Sequence, residues 1–170
     1  MTRPPFDPPT AKDIATVSAQ LGRPARDVIG ISARCVCGAP TVVSTKPRLD
    51  DGTPFPTLYY LSHPAATAAV STLEATGVMP ELAALLVDDV ADAYETAHRE
   101  YLADRNGIEF VAELDGISAG GMPTRVKCLH ALVAHSLAAG PGLNPIGDVA
   151  LDRAAWSPLV CECVDYGISA

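Results

Sequence analysis

The chain has 170 residues, of which 48% are hydrophobic and 5% aromatic, and its formal net charge at pH 7 is −8. This length suits one domain with its own core, and the hydrophobic content excludes an intrinsically disordered chain. An acidic protein repels phosphates, so general nucleic-acid binding is excluded. Neither a signal-peptide pattern nor a membrane-spanning apolar run is present, so we expect a cytoplasmic protein without membrane contacts.

The N-terminal region predicts one helix after a proline-rich start. Residues 1–9 are expected to be flexible, and residues 10–170 to form a single globular domain. Thr10 and Asp13 stand three positions apart, which is a variant of the capping box that begins many helices. This pattern predicts a helix over 11–21.

The next segment predicts a three-stranded sheet. β-branched and apolar residues flank a Cys-Gly-Ala-Pro turn, so we expect a hairpin with strands over 28–36 and 41–45. Residues 46–56 are dense in turn-forming residues and predict a loop. Residues 57–63 predict a third strand, and a sheet this small needs helices to cover it.

The second half of the chain predicts these covering helices. Apolar residues at helical spacing predict helices over 65–77, 80–106 and 123–139. The expected fold is therefore α+β, with a small antiparallel sheet of about three strands covered by four or so helices.

Thiols and imidazoles provide candidate metal ligands. A cytoplasmic chain keeps its cysteines reduced, so its five cysteines are expected to be thiols or metal ligands rather than disulfides. Zinc is the expected ion, ahead of an iron–sulfur cluster, because thiolate and imidazole groups are its usual ligands. Burial as small apolar side chains would also explain the cysteines. The expected ligands are Cys35, Cys37, His63 and Cys128.

Two acid-free segments point to an anion-binding pocket. Residues 28–49 and 116–147 contain no Asp or Glu, although the chain has 20 acidic residues. Together they would form an electropositive pocket on an acidic body, but burial alone gives the same composition. Gly120 and Gly121 precede a predicted helix start, whose free N–H groups attract phosphate or carboxylate. The expected anion-binding residues are Gly120, Gly121, Arg125, Lys127, Lys46 and Arg48.

Cys128 and His130 are the expected catalytic residues if the protein is a thiol enzyme. Neighbouring cations and a nearby helix start favour the nucleophilic thiolate. In a helix over 123–139, however, two residues that are two positions apart point in nearly opposite directions. This arrangement would keep the two side chains from a common target, and the sequence shows no carboxylate partner for the histidine.

Two long strings of the sequence resemble a known family. They are CVCGAPTVVSTKPRLDDGTPFPTLYYLSHP and GISAGGMPTRVKCLHALVAHSLAAGPGLNPIGD. These strings are similar to an actinobacterial family of domains of unknown function, number five hundred and one, over about residues 23–151. The family tends to carry cysteine where this chain has His63, and both residue types bind zinc. The resemblance implies no activity, but such genes often lie near those for a septum-formation initiator and an exopolyphosphatase.

The sequence thus favours a protein with a small-anion pocket and a Cys/His metal site, acting as a hydrolase or transferase. One alternative is a non-catalytic partner of cell-division or polyphosphate machinery. Such a partner would dock through the acidic predicted helix over 80–106, where Asp88, Asp89 and Asp92 cluster. The other alternative is a thiol enzyme that uses Cys128.

Overall fold

The computed structural model describes residues 6–168, and its sheet has three antiparallel strands in the order β1-β2-β3. The strands are β1 (Val28–Arg34), β2 (Pro40–Thr45) and β3 (Tyr59–Leu61). The predicted hairpin and third strand are confirmed, although both β1 and β3 are shorter than expected, since a turn follows β1 and a helix begins at Pro64 soon after β3. The structure therefore shows the expected sheet.

Six helices surround this sheet within residues 6–168, so the predicted α+β fold is confirmed. A single 3-10 turn at Ala112–Leu114 follows the longest of them. None of these helices combines the length and the apolar character that a bilayer crossing requires. The helices are α1 (Ala11–Leu21), α2 (Pro64–Ala75), α3 (Met79–Ala83), α4 (Asp88–Ile108), α5 (Leu129–Ala139) and α6 (Pro145–Arg153).

The N-terminal helix begins where the capping pattern predicts. The Asp13 amide donates to the Thr10 hydroxyl at 3.1 Å, and the Thr10 amide donates to the Asp13 carboxylate at 3.0 Å. Arg34 at the end of β1 also binds Asp13, at 2.7 Å. Of the segment predicted to be flexible, residues 1–5 lie outside the described residues, whereas Asp7 forms a β-bridge with Ile31.

The core lies mainly between the sheet and α5. This helix is buried on most of its surface because nearly all its residues are apolar. His135 of α5 is buried, stacks on Tyr59 of β3 at 5.6 Å and meets the edge of Tyr101 of α4 at 5.1 Å. A smaller apolar cluster formed by Val17, Ile31 and Val43 seals the other face of the sheet under α1.

The predicted helix over 80–106 is wrong, because it is divided into α3 and α4. Val87 adopts an extended conformation, and Asp88 has a positive φ of 46°, which aspartate tolerates better than most residues. The turn between the two helices lets both Leu85 and Leu86 pack against the core. Apolar side chains that looked like one helical stripe therefore belong to a helix, a turn and a second helix.

The predicted start of α5 at Pro123 is also wrong, because the helix begins at Leu129. The preceding segment closes on itself through its own backbone. The Gly120 carbonyl accepts the Lys127 amide at 2.7 Å, and the Gly121 carbonyl accepts the Arg125 amide at 2.9 Å. Gly120 and Gly121 have φ values of 71° and 98°, which only glycine adopts easily. Their amides are therefore part of a loop, not of a helix start.

Candidate functional site

Four cysteines from two distant segments meet beside the sheet. Cys35 and Cys37 lie in the turn between β1 and β2, and Cys161 and Cys163 lie in the C-terminal tail after α6. Their sulfur atoms all lie within 4.8 Å of one another. This group, the cysteine cluster, can hold a metal ion. Neither of the tail cysteines was predicted as a ligand.

The thiols of the cysteine cluster differ in their surroundings. Cys35 is buried, whereas Cys37 and Cys161 are exposed. Burial raises the pKa of Cys35 and of Cys163 above that of a free thiol. A hydrogen bond from the Ala39 backbone lowers the pKa of Cys37 to about 7. Without a cation, the cluster therefore does not carry four thiolates at neutral pH.

His63 borders the cysteine cluster. It is the N-cap of α2, and its Nδ1 accepts the Ala66 amide at 3.3 Å. Its Nε2 lies 3.1 Å from the Cys163 sulfur. The side chain is 1% exposed and packs against Trp156 of the tail, with ring centroids 5.3 Å apart. Burial lowers the pKa of His63, and Nδ1 carries no proton because it accepts the Ala66 amide.

The fold divides the four predicted metal ligands between two places. Cys35 and Cys37 belong to the cysteine cluster, whereas Cys128 groups with Glu74 and His130. His63 precedes the first residue of α2, and Glu74 lies in its last turn. A helix rises about 1.5 Å per residue, so these two ends are about 16 Å apart, which is too far for one ion. The structure therefore does not bring Cys128 and Cys35 together at one metal site, and that prediction is corrected.

Cys128, His130 and Glu74 form a second group, the Cys128 site, whose candidate ligand atoms lie within 4.8 Å of one another. Cys128 is the N-cap of α5 and has an extended backbone, so it is not in helical phase with His130. The expectation that the two side chains point apart is therefore wrong. Glu74 lies 3.4 Å from Nδ1 of His130 and accepts the Leu129 amide at 2.7 Å. It is the carboxylate partner that the sequence did not reveal.

The hydrogen bonds of His130 define where its protons lie. Nε2 is 3.3 Å from the Thr67 carbonyl, which can only accept, and 3.0 Å from the Ser71 hydroxyl. Nε2 therefore carries a proton, and Nδ1 faces the Glu74 carboxylate. A hydrogen bond with Cys128 raises the pKa of His130, and the same bond lowers the pKa of Cys128. Each of the two groups thus shifts the pKa of the other towards its charged form.

A cavity of about 490 Å³ lies beside Cys128. It contains four of the predicted anion-binding residues, namely Gly120, Gly121, Arg125 and Lys127, and none of its lining residues is acidic. Neither Arg125 nor Lys127 forms an ion pair with any of residues 6–168. The walls are Pro56, Thr57, residues 116–122, Arg125, Lys127, Cys128 and Ala131.

Arg105 joins two walls of this cavity from behind. The side chain is 1% exposed, and its guanidinium donates to the backbone carbonyls of Pro56 and Ile117, both of which line the cavity. It also binds the Leu114 carbonyl at 2.7 Å. The cavity wall is therefore fixed by a buried cation.

A second cavity, of about 240 Å³, meets the first at Cys128. Thr57, Cys128 and Ala131 line both cavities, while Leu61 and His130 line only the second. Cys128 therefore lies between a cationic cavity and a largely apolar one.

Lys46 and Arg48 lie outside the cavity and already have acidic partners. Lys46 forms an ion pair with Asp50, and Arg48 binds Glu113 at 2.7 Å. Neither side chain lines the cavity beside Cys128. The structure thus brings four of the six predicted anion-binding residues together and leaves these two apart.

Residues 31–152 match the family described as "Protein of unknown function (DUF501)". The chain belongs to this family. The matched region includes Cys35, Cys37 and all three residues of the Cys128 site, and it ends before Cys161 and Cys163. Neither a curated protein nor a solved structure matches the chain.

Proposed function

We propose that the protein is a thiol-dependent hydrolase or transferase that acts on a small acyl substrate bearing a phosphate or carboxylate group. Cys128 is the nucleophile, His130 carries the proton, and Glu74 orients His130. The observation that carries this proposal is the position of Cys128. It lies between the Glu74–His130 pair and a cavity lined by two cationic side chains, Arg125 and Lys127.

The charge balance of the Cys128 site supports a reactive thiolate. Glu74 and an ionised Cys128 can only accept hydrogen bonds, so a donor between them would stabilise both. The Nε2 proton of His130 is directed to Thr67, so a second proton on Nδ1 would supply that donor and make the ring an imidazolium. A thiolate paired with an imidazolium is the form in which a cysteine attacks an electrophile near neutral pH.

The cavity supports an anionic substrate. Arg125 and Lys127 have no acidic partner among residues 6–168, so an anion in the cavity would balance their charge. The apolar cavity on the other side of Cys128 suits the uncharged part of the same molecule. An acyl carbon between these two parts would lie against the Cys128 sulfur.

These positions support an acyl-transfer reaction in two steps. The Cys128 thiolate attacks the carbonyl carbon of an ester, thioester or amide, and the leaving group departs with the proton from His130. The acyl group is then held on sulfur as a thioester. Water, or a second acceptor, attacks that thioester and gives its proton to His130, which restores the thiolate–imidazolium pair.

Alkylation by iodoacetamide, followed by peptide mass spectrometry, tests the thiolate. In zinc-supplemented protein at pH 6, the Cys128 peptide should be modified faster than the other cysteine peptides. The His130→Ala variant should require a higher pH for the same rate, because loss of the imidazolium raises the pKa of Cys128. Uniformly slow modification of Cys128, or no effect of His130→Ala, contradicts the proposal.

A metal ion bound by Glu74, Cys128 and His130 is the competing interpretation of the same geometry. Elemental analysis of Cys128→Ser separates the two. The thiol proposal expects a metal content equal to that of the wild type. Loss of one ion per chain would assign these three residues as metal ligands instead.

A partner-binding role through α4 is a second candidate function. Asp88, Asp89 and Asp92 are exposed at its N-terminal end, where they can meet a basic surface. Reversal of these three charges should abolish capture of a partner if this role is correct, and should leave Cys128 alkylation unchanged.

A further inference from the structure

We propose that Cys35, Cys37, Cys161 and Cys163 bind one structural Zn²⁺, which fastens the C-terminal tail to the turn between β1 and β2. His63 completes the site as a positioning residue that donates a hydrogen bond to Cys163. This site is separate from the Cys128 site and does not depend on its chemistry.

The sulfur geometry fits a single tetrahedral ion. Zinc–thiolate bonds of about 2.3 Å place four sulfurs about 3.8 Å apart. The four sulfurs lie within 4.8 Å of one another, and Cys37 and Cys163 are 3.3 Å apart. An iron–sulfur cluster would hold the cysteines further apart, because iron and sulfide atoms stand between them. Two disulfides would not require four sulfurs to meet at one point.

The hydrogen bonds of His63 explain why it borders the ion instead of binding it. Nδ1 accepts the Ala66 amide, so it carries no proton. The neutral ring therefore carries its proton on Nε2, which points to the Cys163 sulfur. A protonated nitrogen cannot bind a metal, but it can donate to a thiolate and stabilise its charge. The same ring caps α2, so its orientation is fixed from both sides.

The C-terminal tail needs such an attachment because it buries few side chains. Trp156 is 6% exposed and packs on His63, but Leu159 is 80% exposed and Val164 is 62% exposed. The Val36 amide donates to the Pro158 carbonyl at 3.0 Å, which places the tail against the turn. An irregular segment with so few buried side chains gains little to offset its lost conformational entropy. An ion held by Cys161 and Cys163 would supply the missing attachment.

Elemental analysis of untagged protein purified without chelator tests the ion. The wild type and Cys128→Ser should each contain one zinc per chain, whereas Cys37→Ser and Cys163→Ser should contain none. Absence of zinc from the wild type overturns the proposal, as does full zinc content in Cys163→Ser. A mass lowered by two hydrogens per bond, measured without reductant, would reveal disulfides and would also overturn it.

Chymotrypsin digestion of the wild-type protein avoids the risk that a variant fails to fold. With zinc bound, the bond after Trp156 should resist cleavage. After treatment with a strong chelator, that bond should be cut at least tenfold faster while the body of the protein stays intact, and added Zn²⁺ should restore protection. Equal cleavage rates in both states would show that no ion holds the tail.

Cobalt substitution tests the role of His63. Co²⁺ bound by four thiolates gives intense charge-transfer absorption, which reports on each sulfur. His63→Ala should shift this absorption and weaken metal binding about 10- to 100-fold, because the hydrogen bond to Cys163 is lost. His63→Gln retains an N–H donor and should recover part of the affinity. An unchanged cobalt spectrum in His63→Ala would remove His63 from the site.

Discussion

The cysteine cluster and the Cys128 site place the same side chain in different electrostatic settings. The cluster brings together thiols from distant segments, since Cys37 and Cys163 are 126 positions apart. Its one imidazole neighbour, His63, accepts the Ala66 amide through Nδ1, so it is a neutral ring rather than a cation. The Cys128 site combines one thiol with an imidazole and a carboxylate at the ends of two packed helices. Four thiols beside a neutral imidazole need an external cation to ionise together, whereas one thiol beside a histidine that faces a carboxylate can use a proton. On this difference rest our two proposals, metal binding at the first site and thiol chemistry at the second.

Removal of the metal should have the largest effect on stability. Binding energy of a structural ion is folding energy, so a strong chelator should lower the melting temperature by about 10 °C. The alkylation rate of Cys128 at a temperature where both forms are folded should stay unchanged. Calorimetry and peptide mass spectrometry check the two results, and a parallel loss of both would show that the sites are not independent.

Gly120→Ala, which changes the wall of the cavity beside Cys128, should have the next largest effect on stability. A methyl group there would lie 2.4 Å from the Leu132 side chain, and the positive φ of 71° adds strain. We expect a loss of about 3 kcal/mol in the free energy of unfolding. Gly52→Ala is the matched control, since Gly52 also has a positive φ but no atom within 4 Å of the added group. It should cost about 1 kcal/mol, and equal losses in urea unfolding would remove the packing argument.

Loss of the two cavity cations should have a smaller effect, visible only with an anion. Phosphate should raise the melting temperature of the wild type by about 3 °C at saturating concentration. Arg125→Ala/Lys127→Ala should abolish this shift. Lys46→Ala/Arg48→Ala makes the same change in net charge outside the cavity and should retain the shift. Loss of the shift in both variants would indicate a general charge effect rather than a site.

Glu74→Gln should have the smallest effect and a defined sign. The Glu74 carboxylate raises the pKa of both Cys128 and His130, so its removal lowers both. The pH range in which thiolate and imidazolium coexist should therefore move to lower pH. Because the amide oxygen can still accept the Leu129 N–H, stability should fall by only about 0.5 kcal/mol. Alkylation rates across pH check this, and movement of the range to higher pH would contradict the assigned role.

Local sequence signals predicted the parts of the fold that local physics determines. The capping box at Thr10 and Asp13 fixes the start of α1, and β-branched runs around a tight turn fix the hairpin. The start of α5 could not be predicted this way. Backbone hydrogen bonds within residues 120–128 close this segment into a loop. Pro123 is compatible with this loop and with the first turn of a helix, so the sequence does not distinguish the two.

The sites depend on contacts that the sequence does not display. Gly120, Gly121, Arg125, Lys127 and Cys128 were recognised together because they are neighbours in the chain. Glu74 is brought to Cys128 only by the packing of α2 on α5. The tail cysteines did carry a signal, since their C-x-C spacing repeats that of Cys35 and Cys37. Separation along the chain hid the pairing of these two motifs.

A metal ion bound by both Cys37 and Cys163 would also affect folding. An ion that joins two positions 126 residues apart turns most of the chain into a single closed loop. A covalent link of that span would raise the free energy of the unfolded chain by about 5 kcal/mol at room temperature, because it lowers the conformational entropy of that state. Zinc bound only by the folded form acts as a ligand whose free concentration shifts the folding equilibrium. If the cysteine cluster holds zinc as we propose, the amount of folded protein would follow the supply of metal in its surroundings.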